Sequence, residues 1–209
     1  MWPVNLSTLT RSRGSARAAL LLIGALILAL QFGGEPLVET LRYERDLVTS
    51  GQGWRFFSAS LVHAGWAHLV LNLVALLVVL LAVGQSMNAL QVVIAWTCAS
   101  LTTTAGLWVW NPDVNWSLGA SGALHGLLLA GAIPLAFAGH VVGLGILGVL
   151  IAKLAWEQIA GPVPGSAAAA GVAVIVDAHL YGAAGGILAL LPNGWLAKHR
   201  VRVSRDGQA

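Results

Sequence analysis

The chain has 209 residues, of which 57% are hydrophobic and 9% charged, and its formal net charge is +3. Soluble domains average about 25% charged residues, so this composition describes an all-α polytopic membrane protein, with one bundle and no room for a separate soluble domain. The basic residues gather at the chain ends, which argues against nucleic-acid binding. The lone Cys98 excludes an intrachain disulfide and reads as a packing residue.

Residues 1–17 are polar and basic, with Arg11, Arg13 and Arg17, and are expected to be cytoplasmic. A first apolar segment follows over 18–32. It lacks a small-x-small cleavage site with a polar chain beyond it, so it reads as an anchor rather than a removed signal peptide. It is short for a span, which implies snorkelling of the basic flank or local thinning of the bilayer. Residues 33–60 mix charges with Leu37, Val38, Leu41, Leu47 and Val48, the pattern of a segment lying in the interface. Trp54, Phe56 and Phe57 suit an interfacial aromatic belt.

Five more spans are expected over 61–83, 90–110, 119–138, 141–159 and 171–191, which makes six in a membrane domain of residues 18–191. Asn111-Pro112-Asp113, Gly161–Ser166 and Pro192-Asn193-Gly194 are the turn signals between or after them. Residues 192–209 form a basic tail with Lys198, Arg200, Arg202 and Arg205. Six spans put both termini on one side, and the positive-inside rule puts that side in the cytoplasm. The expected site is the bacterial inner membrane, with the loops after spans one, three and five facing outward.

A charged or strongly polar side chain in hydrocarbon costs about 2.5–3.5 kcal/mol on insertion scales, so polar residues inside the spans are functional candidates. Span two offers His63, His68 and Asn72, the last two sharing a helical face. Span four offers Ser121 and His125, and span six Asp177 and His179, roughly two turns in from its outer end. Three helices thus place polar groups in the outer half of the bilayer. The turn Gly119-Ala120-Ser121-Gly122 would put Ser121 at a helix N-terminus, where free N–H groups stabilise an oxyanion. The same sequence also fits a helix cap followed by small packing residues. A serine nucleophile needs a base, and His179 on another helix is positioned to be one. His68 and Asn72 would then donate to the oxyanion, and a dyad needs no carboxylate. Gly182 and Gly186 form a G-x-x-x-G pair that lets span six approach span four.

Taken together, Trp54-Arg55, His63-x4-His68-x3-Asn72, Gly119-Ala120-Ser121-Gly122 and Ala178-His179-x2-Gly182-x3-Gly186 resemble the rhomboid intramembrane serine proteases over roughly residues 54–187. The resemblance implies a six-transmembrane-helix rhomboid-like bundle with Ser121 as nucleophile and His179 as general base. It implies His68, Asn72 and the Ser121 N–H around the oxyanion, and His63 in a supporting role near the first loop. It also implies an outward-opening cavity and a lateral entry near spans two and five for a substrate helix. Two positions depart from the pattern. The tyrosine expected one turn after the serine is His125, whose ring can stack under His179 or bond to it, and whose role as proton acceptor is an alternative. An acidic residue expected after span two is replaced by Gly84-Gln85.

Ser121-Gly122-x-Leu124-His125-Gly126 and Lys153-x3-Glu157 beside Trp156 resemble the rhombosortase branch. That branch implies a membrane-anchored substrate ending in Gly-Gly, a transmembrane helix and a basic tail (the GlyGly-CTERM signal); no cofactor and no metal are expected. Lys153 and Glu157, one turn apart, read first as an ion pair that neutralises both, with gating or substrate docking as the alternative. Asp177, two residues before His179, points to a different side and suits an interfacial hydrogen bond, with a place as third triad member as the alternative. Three other functions stay open at this point: a general rhomboid protease acting on other single-span membrane substrates, a non-catalytic rhomboid-like protein that binds membrane clients, and a small transporter or proton channel. A metal site from the histidines lacks close ligand spacing.

Overall fold

The computed structural model describes residues 6–191, with side chains described from Gly14 onward. The basic tail expected over 192–209, with its Pro192-Asn193-Gly194 turn, lies outside the described residues. The described chain is mostly helical, with one small ribbon. Helix α1 is Leu6–Gln31, followed by α2 (Gly34–Leu41), β1 (Tyr43–Glu44), α3 (Arg45–Thr49) and α4 (Arg55–Ser58), which runs into a 3-10 turn at Ala59–Leu61. Then come α5 (Trp66–Ala82), α6 (Ala89–Trp110), β2 (Trp116–Ser117), α7 (Ser121–Phe137), α8 (Val141–Ala160), α9 (Ser166–Ala170) and α10 (Val176–Leu188).

Among the described residues, three helical stretches are long and apolar enough to cross a membrane: Gly14–Gln31, Ala89–Trp110 and Val141–Ala160. The pair Arg55–Leu61 and Trp66–Ala82 passes jointly but is bent by 90° at its break, and α7 is a shorter apolar helix. The chain is therefore a multi-pass membrane protein.

Several boundaries differ from the sequence expectation for local reasons. The first helix begins well before residue 18, so its apolar stretch is 18 residues and the expected shortness disappears. Span two is not continuous from residue 61, because Gly65 at φ +97° turns the chain before α5 starts at Trp66. His63 sits in that break. Span six is helical only from Val176: Gly171, at φ +69°, ends α9, and α10 follows after a non-helical stretch. Asp177 and His179 consequently lie in the first turn of α10, not two turns in. Of the expected aromatic belt only Trp54 is exposed, whereas Phe57 packs on the main core and Phe56 on the small cluster around Tyr43.

The residues between α1 and α5 form a built structure. Strands β1 and β2 pair antiparallel, Tyr43 with Ser117 and Glu44 with Trp116. Arg45 donates to the carbonyls of Leu107 (2.9 Å), Trp108 (2.9 Å) and Asn111 (2.7 Å) at the C-terminus of α6. A guanidinium there satisfies carbonyls that the helix cannot, and it complements the helix dipole. Arg55 is buried and donates to Gln52 Oε1 and to the carbonyls of Glu39 and Arg42. The Gly119 N–H donates to Ala59 O at 2.9 Å. The first loop thereby fixes the strand that leads into Ser121.

At the other end of the bundle, α6 opens with a capping box. The Gln91 N–H donates to Asn88 Oδ1 (3.0 Å) and the Asn88 N–H to Gln91 Oε1 (2.8 Å). Near Gly84-Gln85, where an acidic residue was expected, Ser86 Oγ donates toward Gly131 O of α7 at 2.9 Å, and Met87 is buried. Backbone-directed hydroxyl bonding ties this end of α5 to α7 without a charge.

The core is assembled on α10, which packs closely on α6 and α7. A Cβ on Gly182 would collide with the backbone of Gly122, and one on Gly186 with the backbone of Gly126. Two G-x-x-x-G pairs, 122/126 and 182/186, therefore face each other. Without a hydrophobic drive between helices in lipid, such backbone contact supplies the dispersion energy that holds them together. On the third side, Gly185 lies against Ala99 and Thr102, and Gly106 against the Tyr181 ring. In contrast, nothing lies within 4 Å of a Cβ built on Gly148 of α8. Gly182→Val is expected to lower the thermal midpoint in detergent steeply, through overpacking of about 1–3 kcal/mol or more. Gly148→Ala is expected to leave it unchanged or raise it, since alanine is the better helix former by up to about 1 kcal/mol.

Candidate active site

Ser121 is the first residue of α7, and the first backbone bond of that helix runs from Leu124 N–H to Ala120 O. The N–H groups of Ser121, Gly122 and Ala123 precede it, so the positive end of the helix surrounds the hydroxyl. The turn before it requires Gly119, whose φ of +108° is costly for any residue with a Cβ. The His68 ring packs on the open face of Gly119, and a Cβ there would lie 2.6 Å from His68 Cε1.

His179 reaches Ser121 from α10. Its Nε2 is 3.1 Å from Ser121 Oγ. Its other nitrogen, Nδ1, is 2.9 Å from Glu157 Oε2 on α8, and Glu157 Oε1 accepts from Lys153 Nζ at 2.6 Å. Lys153 Nζ also stands 3.3 Å from His179 Nδ1. Glu157 and His179 are buried, their side chains 2% and 8% exposed, while Lys153 is one-third exposed. Four side chains from three helices thus form one chain of polar contacts: Ser121, His179, Glu157, Lys153. An ionised carboxylate only accepts, so Nδ1 carries the ring hydrogen and the Nε2 lone pair faces the serine hydroxyl.

His125 stacks beneath His179, with ring centroids 4.3 Å apart and 17° between planes. Its Nδ1 lies 2.7 Å from the carbonyl of Ser121, an acceptor, so His125 donates there and is not bonded to the hydroxyl. The ring substitutes for the expected tyrosine as a flat platform.

His68 and Asn72 are buried in the first turns of α5 and line the same cavity as Ser121. His68 Nδ1 accepts from the Ala64 N–H at 3.4 Å, which leaves Nε2 as the N–H donor. One hydrogen of the Asn72 amide goes to His68 O at 2.9 Å; the second is a further donor. His63, 1% exposed, accepts from the Ala120 N–H at 3.4 Å and stands edge-on to His68 at 5.1 Å. It holds the serine turn and the His68 ring in one register. Asp177 is bonded to Asn111 Nδ2 at 2.5 Å, and Tyr181 donates to Asn111 Oδ1 at 2.8 Å. That cluster ties α10 to the end of α6, away from the serine.

Two spaces meet at Ser121. A cavity of about 270 Å³ is lined by His68, Asn72, Ser121 and His179 and roofed by Val163, Ser166, Ala170 and the residues before α10. An apolar cleft of about 530 Å³ between α5, α7 and α8 also reaches Ser121, with Val78, Val142, Gly145 and Val149 on its walls. Among the described residues, His125, Glu157 and His179 have ligand atoms within 4.8 Å of one another. The Lys153 ammonium already stands against two of the three, a cation where a metal would need to sit.

Sequence reasoning had paired Glu157 with Lys153 but had not joined Glu157 to His179. The two are on different helices, 22 positions apart, and no periodicity within one helix reports such a contact. A glutamate inside a span was the available signal. Gly126 entered only as the end of the Ser121–Gly126 motif, not as the packing partner of Gly186.

A family model described as the rhomboid domain matches residues 50–194. The chain belongs to the rhomboid family. A putative rhomboid protease of Bacillus subtilis, YdcA, is 24% identical over 141 residues, which cover 68% of this chain and 67% of that protein. The rhomboid protease GluP of Bacillus subtilis is 33% identical over 100 residues, 46% of this chain and 19% of GluP. RHOMBOID-like protein 5 of Arabidopsis thaliana is 31% identical over 98 residues, 44% of this chain and 32% of that protein. The chain thus spans about two thirds of the first of these rhomboids, and one third or less of the other two. The match takes in the first-loop helix α4 and every polar residue of the site.

Gly119→Ala is expected to slow covalent labelling of Ser121 on the order of 100-fold, because the added methyl displaces His68 and the turn by a fraction of an ångström to an ångström. The rate of fluorophosphonate capture measures this, with Gly148→Ala as the silent control.

Proposed function

We propose that this rhomboid hydrolyses a peptide bond in a membrane-anchored protein, with Ser121 as nucleophile and His179 as general base. The observation that supports this is the 3.1 Å contact of Ser121 Oγ with His179 Nε2, at the junction of a polar cavity and an apolar cleft. The hydroxyl proton moves to Nε2 as Oγ attacks the scissile carbonyl, and the carbonyl electron pair becomes the oxyanion. His68 Nε2–H, the Asn72 amide and the N–H of Ser121 are the donors available to it. The oxyanion collapses, the C–N bond breaks, and the Nε2 proton goes to the leaving amine. A water from the cavity then repeats the sequence on the acyl-enzyme.

A substrate helix reaches Ser121 through the cleft between α5 and α8, whose apolar walls match a lipid-soluble segment. Helices α1, α5, α6, α7, α8 and α10 are read as six spans, with both termini in the cytoplasm of a bacterial inner membrane and Ser121 near the outer face. The bends and short lengths of α5, α7 and α10 are compatible with this, because their ends meet the cavity rather than lipid. Within the family we assign the chain to the rhombosortase type. Its substrate then ends in Gly-Gly, a transmembrane helix and a basic tail. The support is the Ser121-Gly122-x-Leu124-His125-Gly126 sequence with Lys153 and Glu157.

Co-expression with two single-span reporters tests this, one with a Gly-Gly, helix and basic tail and one with the helix alone. Cleavage of the first only, abolished by Ser121→Ala, is the expected result. Cleavage of the second only, still abolished by Ser121→Ala, would return the chain to general rhomboid proteolysis. Cleavage of neither, with no fluorophosphonate capture, would favour client binding without catalysis.

A further inference from the structure

We propose that Glu157 completes a Ser121-His179-Glu157 triad, with Lys153 as the cation that keeps the carboxylate ionised inside the membrane. This rests on the reading of Ser121 and His179 as the reacting pair, and adds a positioning residue to it. The two carboxylate oxygens are divided: Oε2 faces His179 Nδ1 at 2.9 Å, and Oε1 takes Lys153 Nζ at 2.6 Å. Each oxygen has its own donor, and the carboxylate is 2% exposed. A lone buried carboxylate would take a proton rather than stay charged. Lys153, partly exposed and one turn away, removes that penalty.

The consequence is a choice of tautomer. Nδ1 of His179 has two neighbours of opposite character, a carboxylate that only accepts and an ammonium 3.3 Å away that only donates. With Glu157 present, Nδ1 keeps its hydrogen and Nε2 is free to take the proton of Ser121. With Glu157 removed and Lys153 retained, the ammonium donates to Nδ1. The hydrogen then moves to Nε2, the nitrogen that must accept. During attack the Ser121 proton goes to Nε2, Nδ1–H stays on the ring, and Glu157 stabilises the imidazolium without taking a proton. The stacked His125 fixes the ring plane, and Glu157 fixes rotation within that plane and the tautomer.

Position and charge predict an ordering that a purely structural ion pair does not. Glu157→Ala is expected to lower kcat on a reporter peptide on the order of 100- to 1,000-fold, with KM changed by less than about threefold. Glu157→Gln keeps an acceptor for Nδ1–H but not the charge, and is expected to fall only on the order of tenfold. The double variant Lys153→Ala/Glu157→Ala removes the misplaced donor, and is expected to recover kcat at least about fivefold above Glu157→Ala. Thermal midpoints in detergent are measured on every variant. If Glu157→Ala does not fold, the Gln variant and the double variant carry the same comparison.

The inference is overturned if Glu157→Ala or Glu157→Gln retains kcat within about threefold of the parent, or if KM rises while kcat holds. It is also overturned if the double variant is no more active than Glu157→Ala or, where that variant does not fold, matches the Gln variant or exceeds it. Fluorophosphonate capture by the parent separates the two levels. No capture by the parent removes the reading of Ser121 and His179 themselves. Capture by parent and Glu157 variants at equal rates removes only the triad.

Discussion

The contact of backbone on backbone between α7 and α10 is the constraint on which the site depends. Gly122 meets Gly182 and Gly126 meets Gly186 with no side chain between them. The approach places Ser121 and His179, one residue before Gly122 and three before Gly182, opposite each other across the same seam. A single methyl group in that seam would part the helices by more than the margin a hydrogen bond tolerates. In lipid, where hydrophobic sequestration gives no preference for protein over solvent, this close packing is also what makes the helix pair stable. The packing of α7 on α10 and the geometry of the candidate site therefore rest on the same atoms.

Around that seam the protein solves a second problem, the cost of polar groups in hydrocarbon. The polar atoms of the site largely answer one another. His179 stands between Ser121 and Glu157, Glu157 is matched by Lys153, and His125 bonds the Ser121 carbonyl. His63 and His68 accept from the N–H groups of Ala120 and Ala64. The donors left to face the cavity are those suited to an oxyanion: His68 Nε2–H, the Asn72 amide and the start of α7. The first loop acts from outside. Arg45 on the end of α6, the β1–β2 ribbon and the Gly119 to Ala59 bond hold the strand before Ser121 in place.

Part of this was legible from residue spacing, and what was not has physical causes. The i, i+4 pair of His68 and Asn72 and the small residues around Ser121 and His179 are periodic, and periodicity reports which groups share a helical face. It does not report what faces them. The Glu157 to His179 contact spans two helices, so Lys153-x3-Glu157 looked complete as a pair. Helix ends were misplaced where glycine at positive φ stops an otherwise apolar run, at Gly65 and Gly171, because hydropathy continues through residues that the backbone does not. The aromatic residues Phe56 and Phe57 looked interfacial by composition. They pack inward because a buried Arg55 turns the first loop back on itself.

The claim beneath all of this is that one hydroxyl in the molecule is activated, and that its activator comes from α10. Mapping the adduct after treatment of the intact protein in lipid nanodiscs with a fluorophosphonate tests it most directly. Peptide mass spectrometry is expected to find a single phosphonylated residue, Ser121, and none when His179 is alanine. Modification of another serine, or undiminished modification of Ser121 without His179, would contradict it.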